Sequence, residues 1–304
     1  MLLKGISMKK IVLLLFLGSY LISNGQEERR LAMVIGNADY SIGELKNPVN
    51  DALLMAKAFD SLGFDVILDT NIQTKQQFEH LIREFDRRRE NYDVGFVYYA
   101  GHGIQVGSNN YMIPTQEKLE KEDDVYYSGV NVQMIIRILT RTSDQVNVLI
   151  LDACRNNPFE QKWDRTRSIY SSKGLAKMQA PMGSLIAFAT TAGNVAPDGD
   201  GENSVYCTAL WNNMFKERVS LDQFFRNVRA EVLQRTDGQQ QTEESTQLTG
   251  ETFYLVQSDY KRKYSTIDSL IIEEKYFKAL DLLQEILYES VEKEAILLKS
   301  TIYN

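Results

Sequence analysis

Two histidines, His80 and His102, and two cysteines, Cys154 and Cys207, supply every imidazole and thiol in this 304-residue chain. They are the candidates for a general base and a nucleophile working near neutral pH. His80 lies in FEHLIREF, off the apolar face of a helical pattern, and reads as a surface residue. His102 is placed differently, because the apolar run GFVYYA leads straight into Gly101-His102-Gly103, where a parallel strand should end. Cys154 repeats the arrangement: VNVLILD reads as a buried strand, and Asp152-Ala153-Cys154-Arg155 stands at its end. Open α/β sheets place ligands in the crevice at such carboxyl ends. Alone, His102 could be a structural histidine in a glycine turn, and Cys154 an inert buried thiol or half of a disulfide with Cys207. Together they support each other, since two neighbouring strand ends would present base and thiol to one crevice.

The chemistry such a pair can do is acyl transfer. A thiol attacks well only as the thiolate, and an adjacent imidazole both favours that form and later protonates the leaving amine. The backbone N–H groups of Gly103 and Cys154 are natural donors to the oxyanion that forms on the attacked carbonyl. No third orienting side chain is evident, so the reading is a His102–Cys154 dyad. The two His and two Cys, separated by 22, 52 and 53 residues, make no compact ligand motif, and no metal is assigned.

The elements that must hold the pair follow from apolar periodicity. Short β-branched runs at 31–37, 64–69, 92–99, 146–152, 184–191 and 252–257 predict six strands. Helical spacings predict helices at 50–62, 74–90, 131–140, 204–216 and 221–236. This alternation is an α/β fold with a mainly parallel sheet, and helices on both faces account for the almost unbroken Val, Leu and Ile of 146–151. Two segments lack such periodicity. Residues 155–183 follow Cys154 directly and carry Lys162, Arg165, Arg167, Lys173 and Lys177 against Glu160 and Asp164; loops this long in a domain are usually functional. Residues 237–250 are rich in Gln, Thr and Glu and read as a polar connector.

Residues 1–25 read as an export signal, with Lys9 and Lys10 before the apolar run 11–22, and small Ser23 and Gly25 before Gln26; Met8 is an alternative start. The expectation is an exported protein, periplasmic or extracellular, with no stable membrane span once the signal is removed; an uncleaved anchor is the alternative. From 258 to 304 the pattern is helical only, and EEKYFKALDLLQEIL resembles one tetratricopeptide-type helix pair, either packed on the main domain or binding a protein partner. A net charge of −7 leaves no global basic field to hold nucleic acid or an anionic membrane.

YYAGHG, followed 52 residues after its histidine by the cysteine of LILDACRNNP, resembles the caspase-like cysteine peptidases, above all their bacterial metacaspase-like members (clan CD, peptidase C14 type). Asp152 and Asn156 stand where the caspase signature Gln-Ala-Cys-X-Gly has Gln and Gly. The resemblance covers roughly 29–257, through GLAKM and SLIAFATTAGNVAPDG. It implies a three-layer caspase-hemoglobinase fold with a six-stranded, mainly parallel sheet flanked by helices, and a C-terminal helical extension beyond it. It also implies a cysteine-type endopeptidase with His102 as base, Cys154 as nucleophile and Gly103 as an oxyanion donor.

Caspases cut after Asp, whereas metacaspases and paracaspases cut after Arg or Lys through acids in the primary specificity pocket. The resemblance puts Asp152, and Asp51 of NPVNDA, in that pocket and implies a protein or peptide substrate with a basic residue before the scissile bond. Asp51 also reads as a helix first-turn acid and Asp152 as a strand-end cap. In the basic loop, Arg165, Arg167 or Lys173 is a self-cleavage candidate, or the loop is simply solvated charge. Some metacaspases need Ca²⁺; Asp123, Asp124 and the DGDGE turn at 198–202 could coordinate it weakly, but no EF-hand-like run occurs. The rival from another class is a non-catalytic caspase-like interaction module acting with the helical tail. A clan relative of the clostripain or gingipain kind would keep the same core chemistry.

Overall fold

The computed structural model describes residues 28–141, 145–154, 175–191 and 201–256, with Lys278 alone beyond them. Its centre is a sheet in the order β2-β1-β3-β6-β7-β8. Those strands are β1 (Arg30–Gly36), β2 (Phe64–Thr70), β3 (Val94–Val106), β6 (Val146–Cys154), β7 (Ser184–Phe188) and β8 (Glu243–Thr246). All neighbours pair in parallel except β7 with β8. A short antiparallel flap, β4 (Asn109–Met112) and β5 (Val130–Asn131), continues from the far end of β3.

Strand alternation divides the core cleanly. Ala32, Val34, Phe96, Tyr98, Val148 and Ile150 pack with α1 (Pro48–Ser61), α5 (Val205–Met214) and α6 (Leu221–Arg235). The residues between them, Leu31, Met33, Val97, Tyr99, Leu149 and Leu151, pack with α2 (Lys75–Arg89) and α4 (Gln133–Leu139). A sheet covered on both faces gives three layers, and its strands read as apolar throughout. This is the expected caspase-hemoglobinase architecture. Helix starts are fixed locally: Thr74 and Gln77 form a capping box at α2, and Ser204 and Ser220 cap α5 and α6. A further short helix, α3 (Asp124–Ser128), precedes β5. Among the described residues no helix is long and apolar enough to cross a membrane.

The β3–β6 register is pinned at its start by Arg89, which is buried. Its guanidinium donates to Asn147 Oδ1 at 2.6 Å and to Tyr92 O at 2.5 Å, and Asn147 is the register partner of Gly95. A Cβ on Gly95 would lie 2.1 Å from Arg89 Nε, so only glycine leaves room for the guanidinium. Burial lowers the Arg89 pKa to about 10, which still leaves it charged at neutral pH.

The sixth strand of the sheet is not where periodicity put it. The polar connector 237–250 supplies β8, whose EEST sequence carries no apolar alternation. An antiparallel edge strand needs backbone partners on one side only, and its side chains add polar links: Glu244 pairs with Arg229, and Ser245 Oγ accepts from Ala180 N at 2.9 Å. Residues 252–256 bury Phe253 and Leu255 but form no strand; they meet the start of α6 through a Ser220–Tyr254 bridge, with Leu221 N donating to Phe253 O at 3.0 Å and Arg218 N to Val256 O at 3.2 Å. There a side chain replaces the strand partner: Arg30 donates to Leu255 O at 2.7 Å and Tyr254 O at 3.3 Å, its guanidinium between the Phe64 and Phe253 rings. The expected signal, 1–25, and helical tail, 258–304, lie outside the described residues apart from Lys278.

Arg30→Ala is expected to lower the unfolding free energy by about 2–3 kcal/mol, since it takes the charged donor from the carbonyls of Leu62, Tyr254 and Leu255. Arg30→Lys should recover less than half, because an ammonium cannot fork between them. Urea denaturation midpoints measure both.

Candidate active site

β3 changes partner at the residues that matter. It pairs with β1 as far as Gly36↔Ala100 and with β6 two residues further, ending on His102↔Cys154. From Gly103↔Met112 onward it pairs antiparallel with β4. His102 therefore stands where the parallel sheet ends, as expected, but inside a continuing strand and not in a glycine turn. The strand continues because β4 takes over the hydrogen bonds that β1 no longer offers. The conformational irregularity is confined to Gly101, with φ +153°, where a Cβ would lie 2.7 Å from Tyr40 Oη and 2.8 Å from Tyr99 Oη.

His102 is buried and held from several sides. Its Nε2 lies 2.5 Å from Gly43 O, its N–H donates to Tyr40 Oη at 3.0 Å, and its carbonyl accepts from Tyr99 Oη at 2.7 Å. The Tyr40 ring lies against the imidazole with centroids 4.2 Å apart. A carbonyl only accepts, so in the neutral ring Nε2 carries the hydrogen and Nδ1 is the basic nitrogen. The orienting third group is thus a backbone carbonyl.

Gly103 is oriented by the same pairing. Ile113 N donates to His102 O across to β4. In a trans peptide the next N–H points the opposite way, so Gly103 N–H faces the β6 side, where residue 154 ends its strand.

Cys207 is a free, buried thiol, so the alternative disulfide with Cys154 is not formed. It donates to Asp51 O at 3.6 Å, and burial, followed by the charges of Asp51 and Asp152, pushes its pKa well up and keeps it inert.

The two acids singled out in the sequence are brought together by one serine. Asp51 Oδ1 accepts from Ser204 N and from Asn203 Nδ2, each at 2.9 Å. Asp152 Oδ2 accepts from Ser204 Oγ at 2.7 Å and from Tyr98 Oη at 3.0 Å. Ser204 is also the N-cap of α5, so both carboxylates meet that helix's positive end, and Asp51 lies in the first turn of α1 as well. The first-turn position read for Asp51 is thus observed, whereas Asp152 lies within β6 and does not end it. Burial raises the Asp51 carboxyl above the ordinary value of 3.8, while the bonds from Asn203, Ser204 and Cys207 work the other way.

Among the described residues no group of three or more His, Cys, Asp or Glu could hold a metal ion. Asp124 spends a carboxylate oxygen on the N–H groups of Glu120 and Lys121. Asp198 and Asp200 lie outside the described residues. His80 is exposed on α2, as expected. Tyr40, Gly43, Asn203 and Ser204 escaped sequence reasoning. Of these only Ser204 left a signal, as the first residue of a predicted helix; a carbonyl that orients a ring leaves none.

A parallel sheet that ends in a histidine and a cysteine on adjacent strands defines the caspase-hemoglobinase class of cysteine-peptidase folds. The chain belongs to the caspase family: the Peptidase_C14 model, described as Caspase domain, matches residues 29–254. It is similar to human mucosa-associated lymphoid tissue lymphoma translocation protein 1, at 27% identity over 127 residues, 41% of this chain and 15% of that protein. It is similar also to mouse caspase-12, at 26% identity over 161 residues, 52% of this chain and 36% of that protein. The chain thus spans well under half the length of the relatives it matches.

A native pKa above the unfolded value means the folded state binds the proton more readily, so stability falls as pH rises through the raised pKa. Asp51→Asn removes that cost and keeps an acceptor for Ser204 N. Its urea midpoint is expected to match the wild type in acid and to exceed it increasingly as pH rises to 7. A more stable wild type at pH 7 would show that the hydrogen bonds outweigh the burial.

Proposed function

We propose that this caspase-family domain is a cysteine endopeptidase that cleaves after Arg or Lys. The observation that carries the reading is the strand register that sets Cys154 opposite His102, whose Nε2 is occupied by the Gly43 carbonyl. In this mechanism the thiol gives its proton to Nδ1 of His102, and the thiolate attacks the substrate carbonyl carbon. The N–H groups of Gly103 and Cys154 take up the charge on the carbonyl oxygen. As the C–N bond breaks, the imidazolium protonates the leaving amine. Water, deprotonated by the same ring, then hydrolyses the thioester, releasing the acid and restoring the thiol.

Preference for a basic residue rests on Asp51 and Asp152. Two carboxylates fixed by one serine form a site that gains charge-assisted bonds from a guanidinium or ammonium and opposes an acidic side chain. We read residues 165, 167 and 173 as self-cleavage positions matched to that pocket, residues 1–25 as an export signal, and the helices of 258–304 as an appendage able to bind a protein partner. These segments lie outside the described residues apart from Lys278.

Fluorogenic peptides ending in Arg, Lys or Asp test the reaction, assayed with and without Ca²⁺. Turnover is expected for Arg and Lys, none for Asp, and none at all from Cys154→Ala or His102→Ala. Asp152→Asn should lose roughly 10- to 100-fold in kcat/KM for Arg, the worth of one charged hydrogen bond. Turnover by Cys154→Ala equal to the wild type, or a preference for Asp, overturns the reading. Intact-mass spectrometry of wild type beside Cys154→Ala tests processing: cuts after Arg165, Arg167 or Lys173 are expected in the wild type only, with the exported form starting at Gln26.

A further inference from the structure

Asn110 sits in β4, 1% exposed, and has no part in the reaction as described above. Its side chain nevertheless makes a two-way contact with one backbone residue: Nδ2 donates to Ala176 O at 2.8 Å, and Oδ1 accepts from Ala176 N at 2.6 Å. An amide placed this way imitates the exchange of two hydrogen bonds between opposed strand residues.

Ala176 lies in the later, described part of the basic loop, and its neighbour Leu175 is the consequential contact. Leu175 is 2% exposed and fills the space that a side chain at position 103 would need. A Cβ on Gly103 would lie 2.8 Å from Leu175 Cδ2 and 3.0 Å from the Ala153 methyl. Leu175 therefore bears on the residues adjoining both His102 and Cys154. The segment continues away from Asn110 through Met178 and Ala180, buried in the same cluster, to a Lys177–Glu243 ion pair of 2.9 Å and the Ala180–Ser245 bond on β8. It is thus tied at both ends, to β4 and to β8, and touches the catalytic step of the sheet between them.

Gly103 needs such support. Its N–H points away from β4 toward the last residue of β6, where the parallel ladder stops, and glycine has the least restrained backbone of any residue. An oxyanion donor must be held to within a few tenths of an ångström, and displacement of about 1 Å can cost roughly 100-fold in rate. We propose that Asn110 is a positioning residue: by clasping Ala176 it seats Leu175 against Gly103 and Ala153 and so fixes the aim of the Gly103 N–H. The proposal rests on the peptidase reading, in which that N–H meets the oxyanion. It separates kcat from KM, because Asp51, Asp152 and Ser204 lie on the opposite face of the sheet, among the residues that pack with α1 and α5.

Three variants test it, each checked for a wild-type melting profile. Asn110→Ala removes both bonds. Asn110→Asp keeps the shape and the bond from Ala176 N but sets a carboxylate against Ala176 O. Leu175→Ala empties the space beneath Gly103. All three are expected to lower kcat for the Arg peptide by about 10- to 100-fold with KM within about threefold. Hydrogen exchange is expected to quicken at Gly103 and across 175–180 in both Asn110 variants. Wild-type kcat in Asn110→Ala, or an equal loss through KM, overturns the proposal. A wild type that cleaves nothing rejects the peptidase reading instead; exchange then still decides the clasp, and unchanged protection in Asn110→Ala overturns it.

Discussion

The parallel pairing of β3 with β6 runs without interruption from Val94↔Val146 to His102↔Cys154, and every chemical property inferred for the site depends on it. A slip of one residue would move each side chain to the other face. Here both faces are filled, Val148 and Ile150 on one and Leu149 and Leu151 on the other, so the core itself forbids the slip. Arg89 reinforces the register at the opposite end by reaching Asn147 over the bare Gly95. The placement of His102 opposite Cys154 is therefore set by packing several residues away.

The charged groups are organised by a second economy. Burying carboxylates is unfavourable unless donors meet them, and here one serine serves two: its N–H binds Asp51 and its hydroxyl binds Asp152. The same hydroxyl accepts from Cys207 N as the cap of α5. Helix start, acid pair and inert thiol form one unit, in which a change at Ser204 would be felt at all three. The imidazole is treated differently. Its ring meets the Gly43 carbonyl and the Tyr40 ring.

Much of this was legible in the sequence, because parallel strands buried on both faces must be continuous runs of apolar residues. VNVLILD and GFVYYA could be read for that reason, and with them the positions of His102 and Cys154. β8 could not, since EEST owes its strand to backbone pairing at an edge and carries no period. The segment 252–256 misled for the converse reason: Phe253 and Leu255 are apolar and buried, yet a guanidinium occupies the carbonyls of Tyr254 and Leu255. The pair of acids was found by resemblance, whereas Ser204, which joins them, showed only as a helix start. Gly43 acts through a carbonyl, a group that every residue carries and that no residue type announces.

Arg30 opens β1, and its guanidinium ends on the carbonyls of Tyr254 and Leu255, so the domain's first and last segments meet within the reach of one side chain. Topologically the path from 28 to 256 is nearly a closed ring. Such a ring can be joined where it now opens and opened elsewhere, for instance at the tight Gly107 turn between β3 and β4, without disturbing the strand order. The paired strand ends of His102 and Cys154 would then be reached from a different starting residue with the same neighbours. What the fold conserves is adjacency around a loop of chain, and the numbering from one end to the other is incidental to it.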